Sequence, residues 1–441
     1  MKRLLAIAYF FPPLGGGGCQ RTLKLVRYLE PEGWASTVVT TRDADYWILD
    51  PSLEAEIPRT AEVIRVGGIT SLRLVRLLAE AGGIERRQGA RDARAFQRLR
   101  RAQSWLLLPD GYRAWAREAQ RAAARRIAAG GIDALWTTSS PESAHLAGLA
   151  LKRRFGIPWV ADFRDPWVGR VTYAPPTSWH DARHRELERS VVTAADRVTL
   201  VSEPMTALYR ERYPDLPGET FVTLPNGVDS DDWRRVAELP ASPDSRDEGR
   251  CVLLHAGQLA HRPTVRTLLD AVERVISADP SARDQLRLRF LGGNEELRPG
   301  EWSERGLDGI VQAEPSRPHL EALQAMRRAY ALVLLGHGGD ADSLLYTGKI
   351  YEYLTSGRPI LGVLDPGPAA DLILEAGAGT VSRPGDEAST ARAIENLLRS
   401  FREGQDSAVR PPAALAGGWE RKAMAGRAAA LLGRLVSPVA G

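Results

Sequence analysis

The chain has 441 residues, a formal net charge of +4 and 44% hydrophobic residues. This length exceeds one ordinary hydrophobic core and suits two domains. Its two cysteines, Cys19 and Cys251, stand far apart without a CxxC pair, which excludes a disulfide framework or a cysteine-based zinc site. No segment approaches the ~20 apolar residues that a membrane-spanning helix needs, so a soluble cytoplasmic protein is expected.

Short apolar runs alternate with helical patterns through the first half of the chain, which is typical of βαβ units and a parallel sheet. Apolar residues recur at helical spacing in the segments 21–29 and 143–155. The predicted strands cover residues 4–10, 36–40, 63–66, 134–137, 159–162 and 197–201.

A polar segment with two prolines and no periodicity, residues 236–249, is predicted to be an interdomain linker. It separates an N-terminal domain, 1–235, from a C-terminal domain, 250–410, and the tail 411–441 is expected to pack back as a helix on the N-terminal domain. The predicted strands of the second domain cover residues 251–255, 287–290, 309–312, 331–335, 359–363 and 379–381. The fold class is therefore α/β, with two doubly wound Rossmann-like domains facing a ligand cleft.

A glycine run, Gly15-Gly16-Gly17-Gly18, follows the first predicted strand and precedes a helix. Glycines allow backbone N–H groups to approach a phosphate or sugar at a helix N-terminus, where the dipole favours negative charge. A dinucleotide GxGxxG loop fits poorly because Gln20 occupies a glycine position. A plain flexible turn is the alternative interpretation.

Two charged residues, Arg164 and Asp165, follow the strand predicted at 159–162. Because ligands of open α/β sheets bind at the carboxyl ends of strands, these side chains are candidates to contact a polar ligand. The alternative is that they pair with each other or fix their own loop.

The second domain contains two further loops of the same kind. Arg262 lies near a predicted helix start after the Gly257 loop, in a position to meet a diphosphate, with Arg266 one turn later. Thr347 is predicted to cap a helix that carries Lys349 and Glu352 on one face. A lysine at a helix N-terminus suits a phosphate, and a carboxylate one turn later can accept hydrogen bonds from ribose hydroxyls. The alternative is an ordinary surface pair.

An aspartate pair and an arginine-rich stretch carry weaker signals. Asp340 and Asp342 form a D-x-D triplet, which is common by chance, and no metal site is predicted. Residues 73–126 hold fourteen arginines and five acids around Trp105-Leu106-Leu107-Leu108-Pro109. This composition suits anionic lipid, phosphates or nucleic acid, or a solvated helix surface.

In order and spacing, these segments resemble the GT-B glycosyltransferases of family four, particularly the bacterial surface-polysaccharide branch. The resemblance spans nearly the whole chain. It includes the Pro-Pro-x-Gly-Gly opening, Asp-Phe-Arg-Asp-Pro-Trp from Asp162, Val201-Ser202, Pro-Asn-Gly-Val-Asp from Pro225, and Gly-Lys-Ile-Tyr-Glu-Tyr-Leu from Gly348.

The resemblance implies a retaining, metal-independent enzyme whose N-terminal domain binds a glycan or lipid-linked acceptor. Its C-terminal domain binds a nucleoside-diphosphate sugar as co-substrate, with no cofactor. The protein is therefore expected at the inner face of the plasma membrane, where residues 73–126 would contact anionic lipid. Nucleic acid is not expected as a partner. The implied site residues are Gly16, Gly17, Arg262 and Lys349 for the diphosphate, Glu352, Glu314 and Ser316 for the nucleoside, and Arg164 and Asp165 for catalysis.

The sequence departs from the family pattern at two places. The first of two glutamates that many relatives carry falls on Leu344, so Asp342 or Ser343 is expected to contact the donor sugar instead. Many relatives place histidine before aspartate where this chain has Arg164-Asp165, and His145 is retained as a third catalytic candidate or as a core histidine. A nucleotide-sugar epimerase, a catalytically silent GT-B protein and a nucleic-acid binder remain alternatives.

Overall fold

The chain folds into two compact units in a computed structural model. The first unit comprises Met1–Pro225 and Arg421–Gly441, and the second comprises Asn226–Glu420. The structure describes residues 1–42, 48–68, 104–170, 173–239, 249–257, 259, 262–292, 300–336, 343–344, 348–409 and 418–437, and only the backbone at 262 and 263.

The first unit is built on a parallel sheet in the order β3-β2-β1-β4-β5-β6-β7. Its central strands are buried on both faces, as expected when helices cover both sides of a parallel sheet. The strands are β1 (Lys2–Ile7), β2 (Trp34–Thr41), β3 (Glu62–Val66), β4 (Ala134–Ser139), β5 (Trp159–Phe163), β6 (Arg197–Leu200) and β7 (Phe221–Thr223).

Helices connect these strands, and side chains cap two of them. Thr177 accepts a hydrogen bond from the backbone of His180, and Ser202 accepts one from Met205, which satisfies N–H groups of the first turn. The helices are α1 (Gly17–Leu29), α2 (Arg113–Ala128), α3 (Ser143–Phe155), α4 (Ser178–Ala194) and α5 (Glu203–Arg212), with short 3-10 turns at Pro51–Glu56 and Gly218–Thr220.

The second unit is built on a parallel sheet in the order β10-β9-β8-β11-β12-β13. Two apolar clusters, one on each face, cover it. Its strands are β8 (Cys251–Ala256), β9 (Leu286–Leu291), β10 (Val311–Glu314), β11 (Ala331–Leu335), β12 (Ile360–Val363) and β13 (Gly379–Ser382). Its helices are α6 (Ser230–Glu238), α7 (Arg262–Ala278), α8 (Ala282–Gln285), α9 (Gly300–Ser303), α10 (His319–Arg328), α11 (Lys349–Ser356), α12 (Pro368–Glu375) and α13 (Glu387–Arg402).

The chain returns to the first unit through its last helix, α14 (Arg421–Val436), which packs against α1. Met424, Ala428 and Leu432 of α14 join the apolar cluster that also contains Leu23 and Val26 of α1. The small side chains of α14 let its backbone lie close to its neighbour.

The boundary between the units lies at Pro225, earlier than the predicted end at residue 235. Asp229 caps α6 by accepting a hydrogen bond from the Asp231 N–H, and Val236 is buried in the second unit. Residues 236–238 are therefore the end of a packed helix and not part of a linker, because the Val236 side chain contacts the core. Residues 240–248 of the predicted linker lie outside the described part.

The predicted α/β class with two parallel sheets is confirmed, and the predicted strands are all found, some with shifted ends. β1 ends at Ile7, before Pro12 and Pro13, and β10 begins two residues later than predicted. β7 was not predicted, because three residues are too short to show a periodicity.

Candidate functional sites at the carboxyl ends of the two sheets

Each sheet contains one point where the strand order reverses, between β1 and β4 in the first unit and between β8 and β11 in the second. In open α/β sheets, ligands bind outside the carboxyl ends of the strands at this point. Most predicted site residues that the structure describes lie on loops or helix starts that follow these strands.

The glycine run of the first unit forms the start of α1. Gly16 precedes the helix with a φ of 87°, which favours glycine, and its carbonyl accepts a hydrogen bond from Gln20 N. Gly17 is exposed, and a Cβ there would meet no atom within 4 Å. The helix therefore begins with backbone N–H groups on an open surface, as an anion site at a helix N-terminus requires.

Arg164 packs directly on this glycine run. A Cβ at Gly18 would overlap the Arg164 guanidinium, so the two residues fit only because position 18 is glycine. The guanidinium donates hydrogen bonds to the carbonyls of Ser139 and Ser140 at the end of β4, and it stacks over the Phe10 ring at 5.6 Å. Arg164 thus joins the loops that follow β1, β4 and β5.

A buried ion pair involves Asp162 of β5, two residues before Arg164. Arg21 of α1 donates two hydrogen bonds to the Asp162 carboxylate, at 2.9 and 2.6 Å, and others to the carbonyls of Leu224 and Pro225. Thr138 and Thr199 donate further hydrogen bonds to Asp162. Burial by itself raises the pKa of Asp162, but Arg21 and the two hydroxyl groups outweigh it and leave the pKa below its usual value.

Asp165 is half-buried and makes no direct hydrogen bond or ion pair with a described residue. It does not pair with Arg164, which was the alternative for this motif. Its field favours the charged form of Arg170, whose own direct partner is Glu142. A ligand role for Asp165 stays a prediction.

Half-buried Asp110 and buried Glu142 form an acidic pair at the start of α3. Asp110 accepts hydrogen bonds from the backbone and the hydroxyl of Ser143, at 2.8 and 2.6 Å. Burial and the neighbouring Glu142 raise the pKa of Asp110 to about 6. Burial also raises the pKa of Glu142, but Arg170 outweighs this and lowers it. Neither residue is predicted from the sequence, because their pairing depends on loops far apart in the chain.

His145 is fully buried in α3. Its Nδ1 lies 2.7 Å from the Thr137 hydroxyl, and its ring stacks on Phe163 with centroids 4.4 Å apart. Burial lowers the pKa of His145 to about 4, so the imidazole is neutral near pH 7. These surroundings fit the core histidine better than a group that exchanges protons with a substrate.

In the second unit, Lys349 begins α11 and lies on the loop after β8. Gly257 has a φ of 129°, and a Cβ there would overlap the Lys349 side chain at Cε and Nζ. Burial lowers the pKa of the Lys349 ammonium, and Glu352 one turn later offsets part of this effect. Among the described residues, Lys349 Nζ has no hydrogen-bond or ion-pair partner.

The loops after β9 and β10 lie beside Gly257. Gly292 has a φ of 94°, and a Cβ there would lie 3.6 Å from both the Gly257 Cα and the Ser316 hydroxyl. Glu314 accepts the Gly292 N–H through its backbone carbonyl at 3.0 Å. Its carboxylate pairs with Arg289 and Arg317, so only its backbone remains a candidate for recognising a nucleobase.

The structure leaves part of the predicted donor site undescribed. For Arg262 only the backbone, at the start of α7, is described, and Asp342, Asp340 and Thr347 lie outside the described residues. Ser343 is exposed, and Leu344 and Glu352 are half-buried. Lys349, Glu352, Glu314 and Ser316 come from helices and loops at one edge of the second sheet, and their assignments stay predictions.

Two features are absent from the described part of the chain. No group of three or more histidine, cysteine or acidic residues there is arranged to hold a metal ion. No helix there combines the length and the apolar composition that crossing a bilayer requires.

Comparison with known proteins places this architecture. The sequence model of Glycosyltransferase Family 4 matches residues 15–232. No curated protein sequence matches the chain. Among solved structures, the chain is similar to the sucrose-phosphate synthase of Thermosynechococcus elongatus, with TM-score 0.64, 16% identity and 99% of each chain covered.

Two further structures show the same fold. The α,α-trehalose-phosphate synthase (UDP-forming) of Burkholderia vietnamiensis has TM-score 0.65 and 13% identity, with 100% of both chains covered. HepE of Anabaena in complex with UDP-glucose has TM-score 0.63 and 13% identity, covering 98% of this chain and 100% of that one. At such identities the likeness shows the GT-B fold, and the family assignment rests on the sequence match. The chain thus carries a Glycosyltransferase Family 4 region at residues 15–232 and is a glycosyltransferase with the GT-B fold.

Proposed function

We propose that this enzyme transfers a sugar, with retention of anomeric configuration, from a nucleoside-diphosphate sugar to a glycan or lipid-linked acceptor. The pathway is cell-surface polysaccharide or glycoconjugate synthesis at the cytoplasmic side of the membrane. No metal or further cofactor takes part. The UDP-glucose bound to HepE supports the choice of donor class.

One observation carries the proposal, the Lys349 ammonium on Gly257 at the start of α11. A cation with lowered pKa, without a direct partner among the described residues, lies at a helix N-terminus beside a strand-order reversal. A buried cation, a helix N-terminus and a strand-order reversal each favour an anion, and together they support a phosphate site here. Glu352, on the same helix one turn later, suits ribose hydroxyls.

In the proposed reaction the bond between the anomeric carbon and the β-phosphate oxygen breaks, and the acceptor oxygen bonds to the same face of the sugar. The proton of the acceptor hydroxyl passes to the leaving phosphate, so no separate base is required. Negative charge grows on that phosphate in the transition state, and Lys349 together with the backbone N–H groups of α11 stabilises it.

The first unit supplies the acceptor side in this proposal. The Asp165 carboxylate makes no direct hydrogen bond or ion pair with a described residue, and in this proposal it orients an acceptor hydroxyl. Arg164 is engaged by two carbonyls and by the Gly18 surface, so its main role is to hold the loops that present Asp165 and the start of α1.

Nucleoside diphosphates are expected to stabilise the protein against heat in the presence of EDTA. A ligand present at about 100 times its Kd raises the free energy of unfolding by about 2.7 kcal/mol, which raises Tm by several degrees. The measurement is a thermal-shift screen with UDP, ADP, GDP and their sugars, beside the corresponding nucleosides as controls.

Each outcome of this screen has a meaning. Stabilisation by one diphosphate series, and none by its nucleoside, supports the phosphate site and selects the base. Stabilisation that EDTA abolishes contradicts metal independence. No stabilisation by any diphosphate contradicts the proposed donor site, and donor binding without transfer to any acceptor supports the epimerase or silent alternatives.

A surface of the first unit fits the proposed lipid-linked acceptor. Trp105, Leu106 and Trp179 are 58%, 82% and 62% exposed, and both indole rings contact His180 edge to face, with centroids 5.5 and 4.9 Å from its ring. On α2, arginines recur on the exposed face at every fourth residue, namely Arg113, Arg117, Arg121 and Arg125. Apolar groups beside cations suit the interface of an anionic bilayer.

Binding to anionic vesicles is expected to depend on both parts of this surface. Near an anionic surface each arginine contributes about 1 kcal/mol, or about fivefold in affinity. The double variant Arg113→Gln/Arg117→Gln should therefore bind about 25-fold more weakly to phosphatidylserine vesicles in a flotation assay. Trp105→Ser/Trp179→Ser should also weaken binding, whereas Leu374→Ser, at an exposed leucine of the second unit, should not. Equal binding of wild type to neutral and anionic vesicles contradicts the electrostatic part.

A further inference from the structure

The two strands at the reversal point of the second sheet separate before they end. β8 and β11 pair at Leu253 with Ala331 and at Leu254 with Leu332, and no further along. β8 nevertheless continues to Ala256 beside β9, and β11 continues to Leu335 beside β12. The carboxyl ends of β8 and β11 therefore diverge, which opens the crevice in which such folds bind ligands.

The hydroxyl of Tyr353 bridges the two strands where they diverge. It accepts a hydrogen bond from the Ala256 N–H at 2.9 Å and donates a longer one to the Val333 carbonyl at 3.4 Å. The phenol is fully buried, and burial raises its pKa, so the hydroxyl stays protonated and can donate. The Ala256 N–H, which lies beyond the paired part of the two strands, thereby has a partner in the crevice.

This bridge also connects the two parts of the candidate phosphate site. Tyr353 lies on α11 one turn after Lys349, and residues four apart share a helix face. Its hydrogen-bond donor, Ala256, immediately precedes Gly257, on which the Lys349 side chain lies. One hydroxyl group thus connects the helix that carries the cation to the loop that the cation contacts.

We propose that Tyr353 is a positioning residue of the donor site, which holds the start of α11 and the Gly257 loop at the separation that a diphosphate requires. This inference rests on the proposed function, because it assigns a role at the same site. The Lys349 side chain packs so closely on Gly257 that no Cβ would fit between them. A small movement of the helix or the loop would therefore change how well the site fits a phosphate.

The test is the variant Tyr353→Phe, which removes the hydroxyl and keeps the ring. Isothermal titration calorimetry, well below Tm, measures the Kd of whichever of UDP, ADP or GDP the wild type binds. We expect the Kd to rise about tenfold, the upper range for the loss of one hydrogen bond. Tyr330→Phe is the matched control, because the Tyr330 hydroxyl has no hydrogen-bond partner among the described residues, and its Kd should equal that of wild type.

A purely structural tyrosine gives a different result from a positioning one. If Tyr353→Phe lowers Tm and leaves the Kd unchanged, the hydroxyl stabilises the fold only, and the inference is wrong. An unchanged Kd with an unchanged Tm overturns it as well. If the wild type binds none of the three diphosphates, the proposed function fails first, and this inference fails with it.

Discussion

Lys349→Met is expected to lower kcat of the sugar transfer by about 10²- to 10³-fold, the effect of removing one preorganised group that stabilises the charge of a transition state. Methionine keeps most of the length of the side chain and removes its charge. The negative charge that grows on the leaving phosphate then lacks the ammonium on Gly257, while the N–H groups of α11 remain. Steady-state kinetics with a saturating donor measure this loss.

The same variant should change the dependence of donor binding on pH. Burial lowers the pKa of Lys349 in the free protein, and a bound diphosphate anion raises it. Affinity is therefore greatest below the lowered pKa of the free protein and falls as the pH rises through it. In Lys349→Met this decrease should disappear from a series of calorimetric titrations.

Lys2→Met makes the same chemical change at an exposed lysine of the first unit and should leave kcat and the pH dependence at wild-type values. If Lys349→Met retains wild-type kcat, the donor diphosphate does not bind at this loop. A loss of activity that is accompanied by a large fall in Tm would indicate misfolding, so both variants need a melting curve.

The architecture could be predicted because it follows from local patterns. Apolar runs separated by amphipathic segments predict parallel strands with crossover helices, and glycines after strands predict close approach of the backbone. The start of α1 at the glycine run and the start of α11 at Lys349 both follow from such patterns. These features involve residues that are close in sequence.

Contacts between distant segments could not be predicted. Arg164 donates hydrogen bonds to the carbonyls of Ser139 and Ser140, and backbone carbonyls carry no sequence signal, so this contact could not be predicted. In the sequence, Tyr353 has the pattern of an ordinary core aromatic residue. Its proposed role depends on where β8 and β11 stop pairing, which the sequence does not show. An acid at the end of an apolar strand, as at Asp162, is a signal that a buried cation is needed, although it does not identify Arg21 as the partner.

Asp162→Asn is expected to destabilise the first unit by about 3–5 kcal/mol, because removal of one partner of a buried ion pair leaves the other charge uncompensated. The Leu224 and Pro225 carbonyls, which also accept hydrogen bonds from Arg21, are neutral and do not replace the lost negative charge. Urea denaturation at pH 7 measures the difference. Asp215→Asn is the control, since Asp215 pairs with Arg189 on the surface, where such pairs contribute about 0–1 kcal/mol.

The dependence on pH separates loss of charge from loss of packing. The pKa of Asp162 in the folded protein lies below its unfolded value of about 3.9. Its contribution is therefore fully present above that unfolded value and is lost as the pH falls through the lower folded pKa. The stability difference between wild type and Asp162→Asn should accordingly shrink in acid, while a packing defect would persist at every pH. The double variant Arg21→Met/Asp162→Leu removes both charges. It should recover most of the lost stability if the uncompensated charge is the cause. It should recover none if the hydrogen bonds from Thr138 and Thr199 to Asp162 are what stabilise this region.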